Sequence, residues 1–138
     1  MNLLYHTYEI RKAYILCFLF TFTYEGKIMI HSQFIKTVVS ALDLSKTDAE
    51  ILKALIIRKG GLLISEITDY IHRSERNVRS RLDLLIKKGI LKKEIEVLRN
   101  KRLAHRYTLE SVEKIVETAK NHLLKKVGEL NNLLHSND

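Results

Sequence analysis

Hydrophobic residues in the first half of the chain recur at helical spacing. Phe34, Val38 and Leu42 lie four residues apart and predict a helix from Gln33 to Leu42. Ser45-Lys-Thr-Asp48 has the pattern of a capping box and predicts the start of a second helix, which Gly60-Gly61 should end. The buried stripe of that helix is expected to be Ile51, Leu52, Leu55 and Ile56.

Two more helices follow with a short connection between them. Ser65 is predicted to cap a brief helix from Glu66 to His72, and Ser74 to cap a longer helix from Glu75 to Lys88. Gly89 stands just past the end of the longer helix, where a left-handed residue is favoured. The expected inward residues are Ile67, Tyr70 and Ile71 in the brief helix, and Val78, Leu82, Leu85 and Ile86 in the longer helix. The longer helix then presents Arg76, Asn77, Ser80 and Lys87 on its opposite face.

The pattern changes after Gly89 and changes again near Glu110. Within residues 90–98 the stretch 93–97 alternates between polar and apolar side chains, and residues 103–109 alternate less cleanly. Both segments suit strands better than helices and predict a hairpin joined at Arg99-Asn-Lys-Arg102. Residues 110–134 return to helical spacing, with a heptad-like seam that is typical of helix pairing. We expect this seam to join two subunits, although a helix folded back on its own domain is the alternative; its residues are Val116, Ala119, Leu123, Val127, Leu130 and Leu134.

The first 28 residues do not share this regularity. Ala13 to Phe20 is an unbroken apolar run, too short for a membrane span, which needs about 20 apolar residues. No small-residue cleavage site follows it, which disfavours a signal peptide. We interpret residues 1–28 as an apolar extension that either packs on a dimer as a helix or precedes a true start at Met29, and we expect no membrane partner.

The charge of the chain is concentrated in one segment. The 138 residues are 46% hydrophobic and carry a net charge of +8, which suits a small globular protein with an acidic partner. From Arg73 to Arg106 there are 12 Lys and Arg against 4 Asp and Glu, so 12 − 4 = +8 lies within these 34 residues. The single cysteine, Cys17, excludes an intramolecular disulfide and favours a cytoplasmic location.

Enzyme chemistry finds little support in the sequence. Ser111 and Lys114 match the S-x-x-K pattern of a nucleophilic serine, but its companion motifs are missing. The six histidines form no pair at metal-ligand spacing and have no cysteine partners. We therefore predict that the protein is not an enzyme and needs no metal or cofactor.

The order of elements predicts a mainly α fold with a small β hairpin. Helix, short helix, turn, basic helix and hairpin is the order of a winged helix-turn-helix domain, expected over residues 29–109 and followed by a dimerisation helix over 110–138. Four segments resemble the DNA-binding domain of archaeal TrmB-like regulators and of the small Lrs-type regulators. These segments are Leu44–Leu55, Ile64–Ile67, Ser74–Leu91 and Arg106–Leu109. The resemblance implies a recognition helix at 75–88, a wing at 91–107 and a C-terminal helix that pairs two subunits.

Taken together, these patterns predict a homodimeric transcription regulator that binds double-stranded DNA. Arg and Asn on the basic helix suit base edges, and the cations of the hairpin tip suit phosphates. Two alternatives remain: an architectural protein with the same cationic surface, and a winged helix that binds another protein. The expected DNA-binding residues are Arg73, Ser74, Arg76, Asn77, Arg79, Ser80, Arg81, Lys87, Arg99, Lys101 and Arg102.

Overall fold

The computed structural model describes the backbone of residues 24–136 and the side chains of residues 31–136. The chain divides into two compact units after Phe34, and the helices and strands belong to the second unit except for the beginning of α1. In chain order the elements are α1 (Tyr24–Ala41), α2 (Lys46–Ile57), β1 (Leu62–Leu63), α3 (Ile64–Ile71), α4 (Glu75–Lys87), β2 (Leu91–Val97), β3 (Leu103–Leu109) and α5 (Val112–Ser136).

Helix α1 begins earlier than its hydrophobic pattern predicts. It runs without a break from Tyr24 through Met29 to Ala41, whereas the sequence predicted a helix from Gln33. The apolar run from Ala13 to Phe20 lies outside the described residues, and a boundary at residue 28 and a start at Met29 both stay predictions. Ile35 and Val38 are buried, while Phe34, predicted to be inward, is only half-buried.

Helix α2 begins with the predicted capping box. The Ser45 hydroxyl accepts a hydrogen bond from the Asp48 amide at 3.2 Å, and the Asp48 carboxylate accepts one from the Ser45 amide at 2.9 Å. These two bonds satisfy amide donors that a helix start leaves unpaired. The helix ends at Ile57, with Arg58 as its C-cap, before the Gly pair that was expected to end it.

Gly61 does not end α2; it allows two strands of the sheet to pair. Its φ is +81°, and a Cβ atom there would lie 2.5 Å from Cγ2 of Thr108 and 2.7 Å from the carbonyl oxygen of Tyr107. Only glycine fits both this conformation and this close approach. Gly61 thus lets β1 reach β3, with Leu62 opposite Tyr107.

The predicted hairpin is confirmed, and β1 adds a third strand to it. The sheet is antiparallel in the order β1-β3-β2, with Leu91 opposite Leu109 at the root of the hairpin and Val97 opposite Leu103 at its tip. The sequence showed residues 62–64 only as a short apolar run, because a strand of two residues is too short to establish a period.

The helix-turn-helix consists of α3, a three-residue turn and α4. Helix α3 begins at Ile64, one residue before the predicted cap Ser65, and the Glu66 carboxylate accepts a hydrogen bond from the Leu63 amide at 3.1 Å. His72 ends α3 in the left-handed conformation with φ +54°, and Ser74 caps α4 as predicted, accepting from the Asn77 amide at 3.3 Å. Gly89 follows α4 with φ +81°, also as predicted.

The core lies between the helices and the root of the sheet. The helices and the first residues of the hairpin contribute side chains that are fully or almost fully buried, namely Ile35, Val38, Ile51, Ile67, Val78, Leu82, Leu85, Ile90, Leu91 and Ile115. Tyr70, predicted to be inward, is 53% exposed, because the short helix α3 buries only Ile67 and Ile71. Among the described residues, no helix is both long and apolar enough to cross a membrane.

Candidate nucleic-acid interface

Helix α4 presents the predicted polar face to solvent. Arg76, Asn77, Ser80 and Lys87 are exposed, and Val78, Leu82 and Leu85 on the other side are fully buried. The cap at Ser74 and the glycine at 89 fix both ends of this helix, and its buried stripe fixes its rotation. Within the part of the chain that the structure describes, the side chains of Arg76, Asn77 and Lys87 have no ion pair or hydrogen-bond partner. They are therefore available to a ligand.

Arg73 and Arg79 lie beside this face in weak surface ion pairs. Arg73 Nε is 3.5 Å from Glu50 Oε2, and Arg79 Nη2 is 2.7 Å from Glu75 Oε1. Both arginine side chains are more than one-third exposed. Such exposed pairs contribute little to stability, so either guanidinium can exchange its carboxylate for a phosphate at little cost.

Arg81, which the sequence placed among the DNA-binding residues, lies in a different environment. Its guanidinium donates to both oxygens of Asp48, at 2.7 and 2.5 Å, and Asp48 is fully buried. Burial raises the pKa of Asp48, but the hydrogen bonds from Arg81 and Ser45 outweigh burial and leave that pKa below its ordinary value. Arg81 thus joins α4 to α2, and we assign it to the scaffold that orients α4.

Ser74 caps α4 and keeps its hydroxyl proton free to donate a hydrogen bond. Its Oγ accepts the cap hydrogen bond from Asn77, and its own hydroxyl proton stays available. The unpaired amides at a helix start attract anions. The N-terminus of α4 therefore suits a phosphate, with Ser74 and Arg73 beside it.

The tip of the hairpin is a compact turn that displays cations. The Leu98 amide donates to the carbonyl of Arg102, and the Lys101 amide donates to the carbonyl of Leu98, both at 2.9 Å. Asn100 holds the turn by accepting from the Arg102 amide at 3.0 Å, a role that the sequence analysis missed. Lys101 takes a φ of +63°. The side chains exposed at this tip include Arg99, Lys101 and Arg102.

The root of the hairpin is tied to α4 and to the rest of the sheet. At this root β2 packs against α4. Burial raises the pKa of Tyr107, the charge of Asp83 on α4 raises it further, and the charge of Arg79 lowers it. Arg106 donates to Glu96 at 2.6 Å and to the carbonyl of Gly61 at 3.0 Å. Arg106 therefore links three parts of the sheet region and is not part of the free cationic surface.

Asp83 is a residue of the candidate interface that the sequence analysis did not single out. It is exposed on α4, at positions i+3 from Ser80 and i+7 from Arg76, and therefore on their face of the helix. A carboxylate can accept from the amino group of cytosine, but it repels phosphates. The helical register of the basic helix would have found Asp83 from sequence alone.

The predicted seam on α5 is exposed except at Ala119, which is half-buried. Leu123 is 46% and Leu130 63% exposed, and the other seam residues are half-buried or exposed. The same helix touches its own domain through a different face, where Ile115 is buried and Lys126 pairs with Asp43. His122 Nε2 lies 3.7 Å from the same carboxylate. Packing on the domain therefore leaves the seam uncovered.

The spacing of the seam is better described by 11 residues than by seven. Val112, Val116 and Ala119 recur as Leu123, Val127 and Leu130, and Leu134 follows Leu123 at the same interval. A repeat of 11 residues corresponds to about 3.67 residues per turn and to helices that pair almost straight or with a slight right-handed twist. The seam residues therefore also fit a repeat of 11 residues, and coiled-coil pairing along them stays a prediction.

Known structures share the fold of this chain. A protein named as a possible transcriptional regulator from Methanosarcina mazei is similar with a TM-score of 0.63 and 17% identity, over 73% of this chain and 85% of that one. The ST1889 protein of Sulfolobus tokodaii is similar with a TM-score of 0.53 and 19% identity, over 72% and 92%. No protein-family model and no curated protein matches the sequence. The order of elements and these similarities show a mainly α, winged helix-turn-helix fold.

Proposed function

We propose that this protein is a sequence-specific regulator of transcription that binds double-stranded DNA as a homodimer and is not an enzyme. The observation that carries the proposal is a set of exposed cations on two adjoining elements that have no ion-pair partner among the described residues, Arg76 and Lys87 on α4 and Arg99, Lys101 and Arg102 on the wing. The similarity to a possible transcriptional regulator supports it. Because four segments of the sequence resemble the archaeal TrmB-like and Lrs-type regulators, we propose that the chain is related to them.

In this proposal α4 is the recognition helix. A helix is about 10–12 Å wide and fits the major groove, which is about 12 Å wide. Arg76 and Asn77 lie near its start and are free to bind guanine and adenine respectively. Ser80 and Lys87 extend the same face, and Arg73, Ser74 and Arg79 contact phosphates at its edge.

The homodimer forms through the exposed seam of α5. A second copy would supply the same apolar face to Leu123, Val127 and Leu130 and remove it from water. A two-fold dimer then places two recognition helices on one side of the duplex, with half-sites about 34 Å apart. The domain boundaries follow, with DNA binding in residues 29–109 and pairing in residues 110–138.

Loss of the base-reading side chains is expected to lower sequence specificity. Arg76→Ala or Asn77→Ala should cost about 1–3 kcal/mol on the preferred site and little on random DNA. Titrations of a genomic site and of a scrambled duplex give the ratio of the two affinities. Glu113→Ala, on the exposed surface of α5, is a control that should change neither affinity. Equal losses on both duplexes would favour the architectural alternative.

Loss of the wing cations is expected to weaken binding to every sequence alike. Replacing Arg99, Lys101 and Arg102 with Ala removes charge without removing base contacts. The slope of log affinity against log salt should therefore become shallower by up to about 0.9 for each lost phosphate contact. Titrations at several salt concentrations measure this slope. An unchanged slope would show that the wing does not touch the DNA backbone.

A further inference from the structure

The wing carries an apolar face that the phosphate contacts of the proposed function do not use. Ile95, Val97 and Leu103 are 68%, 66% and 71% exposed. Val97 lies opposite Leu103, and Ile95 lies opposite His105. Because paired residues and alternate residues of a strand share a face, these three large side chains form one patch at the outer half of the hairpin.

This face is the continuation of the one that packs on the helices of the domain. Tyr107 follows Leu103 and His105 at the same alternation along β3 and is buried, where β3 packs against α2 and α3 and β2 packs against α4. The patch therefore lies on the side of the wing that is turned toward these helices. The opposite face is polar and contains the Arg106–Glu96 ion pair.

The charged residues around the patch indicate which kind of partner fits it. Arg99, Lys101 and Arg102 border it at the tip, and Lys93 borders it toward the root. A second copy of the wing would bring the same cations and be repelled. A partner that offers apolar surface between rows of negative charge satisfies both features, and the stacked bases between the phosphates of a DNA groove are such a surface.

The length of the wing agrees with a groove next to the one that holds α4. From Tyr107 at the root to Leu103 at the tip, the strand rises about 13 Å. Adjacent major and minor grooves are separated by about half of a 34 Å helical turn, or about 17 Å. With α4 in the major groove, the apolar patch and the tip cations reach the neighbouring minor groove.

We propose that the wing inserts Leu103, Val97 and Ile95 at a base step in the minor groove and bends the DNA. Apolar side chains wedged there partly unstack the bases and kink the duplex by about 20–90°. Pyrimidine–purine steps such as TA are the easiest to deform, so the wing should favour them. This inference rests on the proposed DNA binding, but it assigns the wing a mechanical role beyond neutralising charge.

The test compares bending by the wild-type protein and by Ile95→Thr/Val97→Thr/Leu103→Thr. Threonine keeps the strand preference of the hairpin and removes apolar surface. The probe is an end-labelled duplex of about 30 base pairs with a TA step next to the bound half-site, read by energy transfer between its ends. A second duplex with an A-tract at that place tests the step preference. The wild type should raise the transfer efficiency on the TA duplex, and the triple variant should lose this rise while its salt slope stays unchanged.

Two control variants separate the wedge from a general loss of structure. Ile57→Thr changes an apolar side chain that is 63% exposed on α2 and should leave bending intact. Ile95→Leu/Val97→Ile/Leu103→Ile keeps the patch apolar and should also bend the duplex. Melting of all variants without DNA shows whether the triple threonine variant is folded, and a conservative variant that fails to bend would count against the wedge.

Each other outcome overturns the proposal in a distinguishable way. If the triple threonine variant bends DNA as the wild type does, the patch is not a wedge, although DNA binding stands. If it bends DNA normally but has a lower oligomer mass, the patch is an interface between protein copies. If the wild type binds neither duplex, the proposed function itself fails, and the wedge fails with it.

Discussion

Asp48→Ala is expected to lower the free energy of unfolding by about 3 kcal/mol, because it leaves Arg81 without its buried partner and breaks the capping box of α2. Removing one member of a buried ion pair costs about 3–5 kcal/mol. Arg81 is 29% exposed and can still reach water, which favours the lower end of that range. Urea unfolding followed by circular dichroism measures the loss.

The control for this experiment is the exposed pair on α4, the helix that carries Arg81. Arg79→Ala removes an ion pair whose two side chains are 54% and 62% exposed, and it should cost far less than Asp48→Ala. Asp48→Leu combined with Arg81→Leu replaces both charges with apolar groups and should recover much of the stability lost in Asp48→Ala. A cost for Asp48→Ala as small as that of Arg79→Ala would contradict the structural role of the buried pair.

The same pair should make stability depend on acidity. The pKa of Asp48 lies below its ordinary value of 3.8, so the folded state binds a proton less readily than the unfolded state. Its stabilising contribution is present above that ordinary value and is lost as the pH falls through the lower pKa of the folded protein. Asp48→Asn should remove this part of the acid destabilisation, as unfolding at several pH values can show.

Leu123→Glu combined with Leu130→Glu is expected to abolish the dimer. Each substitution places a charge in an interface that would bury it without a partner, which costs far more than the lost apolar contacts alone. Light scattering should give the monomer mass of 16.1 kDa in place of twice that value. DNA affinity should fall strongly, because the two half-sites are no longer bound by one particle.

A matched pair of substitutions on the far side of α5 controls for added charge. Asn121 and Asn132 are exposed on the face opposite the seam, and Asn121→Glu combined with Asn132→Glu should leave the protein dimeric. If the seam variant also remains dimeric, the subunits meet elsewhere. The aromatic stretch near the start of the chain then becomes the first region to test.

Local patterns predicted the elements that carry their own signals. Ser45 and Ser74 cap their helices as expected, and residues 99–102 form the cationic turn. What escaped prediction depends on distant partners. Arg81 reaches Asp48 across 33 positions and Arg106 reaches Gly61 across 45, so neither role has a local pattern. Within α3, Ser65 looked like a cap, but Glu66 satisfies the Leu63 amide and the helix begins at Ile64, two residues before the predicted start at Glu66.

In the proposed dimer, the far end of α5 would make the amount of paired protein a steep function of its synthesis. Beyond Lys126 every described residue of this helix is exposed, and residues 127–136 extend about 15 Å without support from their own domain. Most helical stability in proteins comes from packing of an apolar face against other elements, which this overhang lacks in a single subunit, so it should fray from its free end. Pairing orders it, and at low abundance the number of paired molecules rises with the square of the number of subunits. Occupancy of a DNA site by the proposed dimer would therefore change sharply over a narrow range of expression.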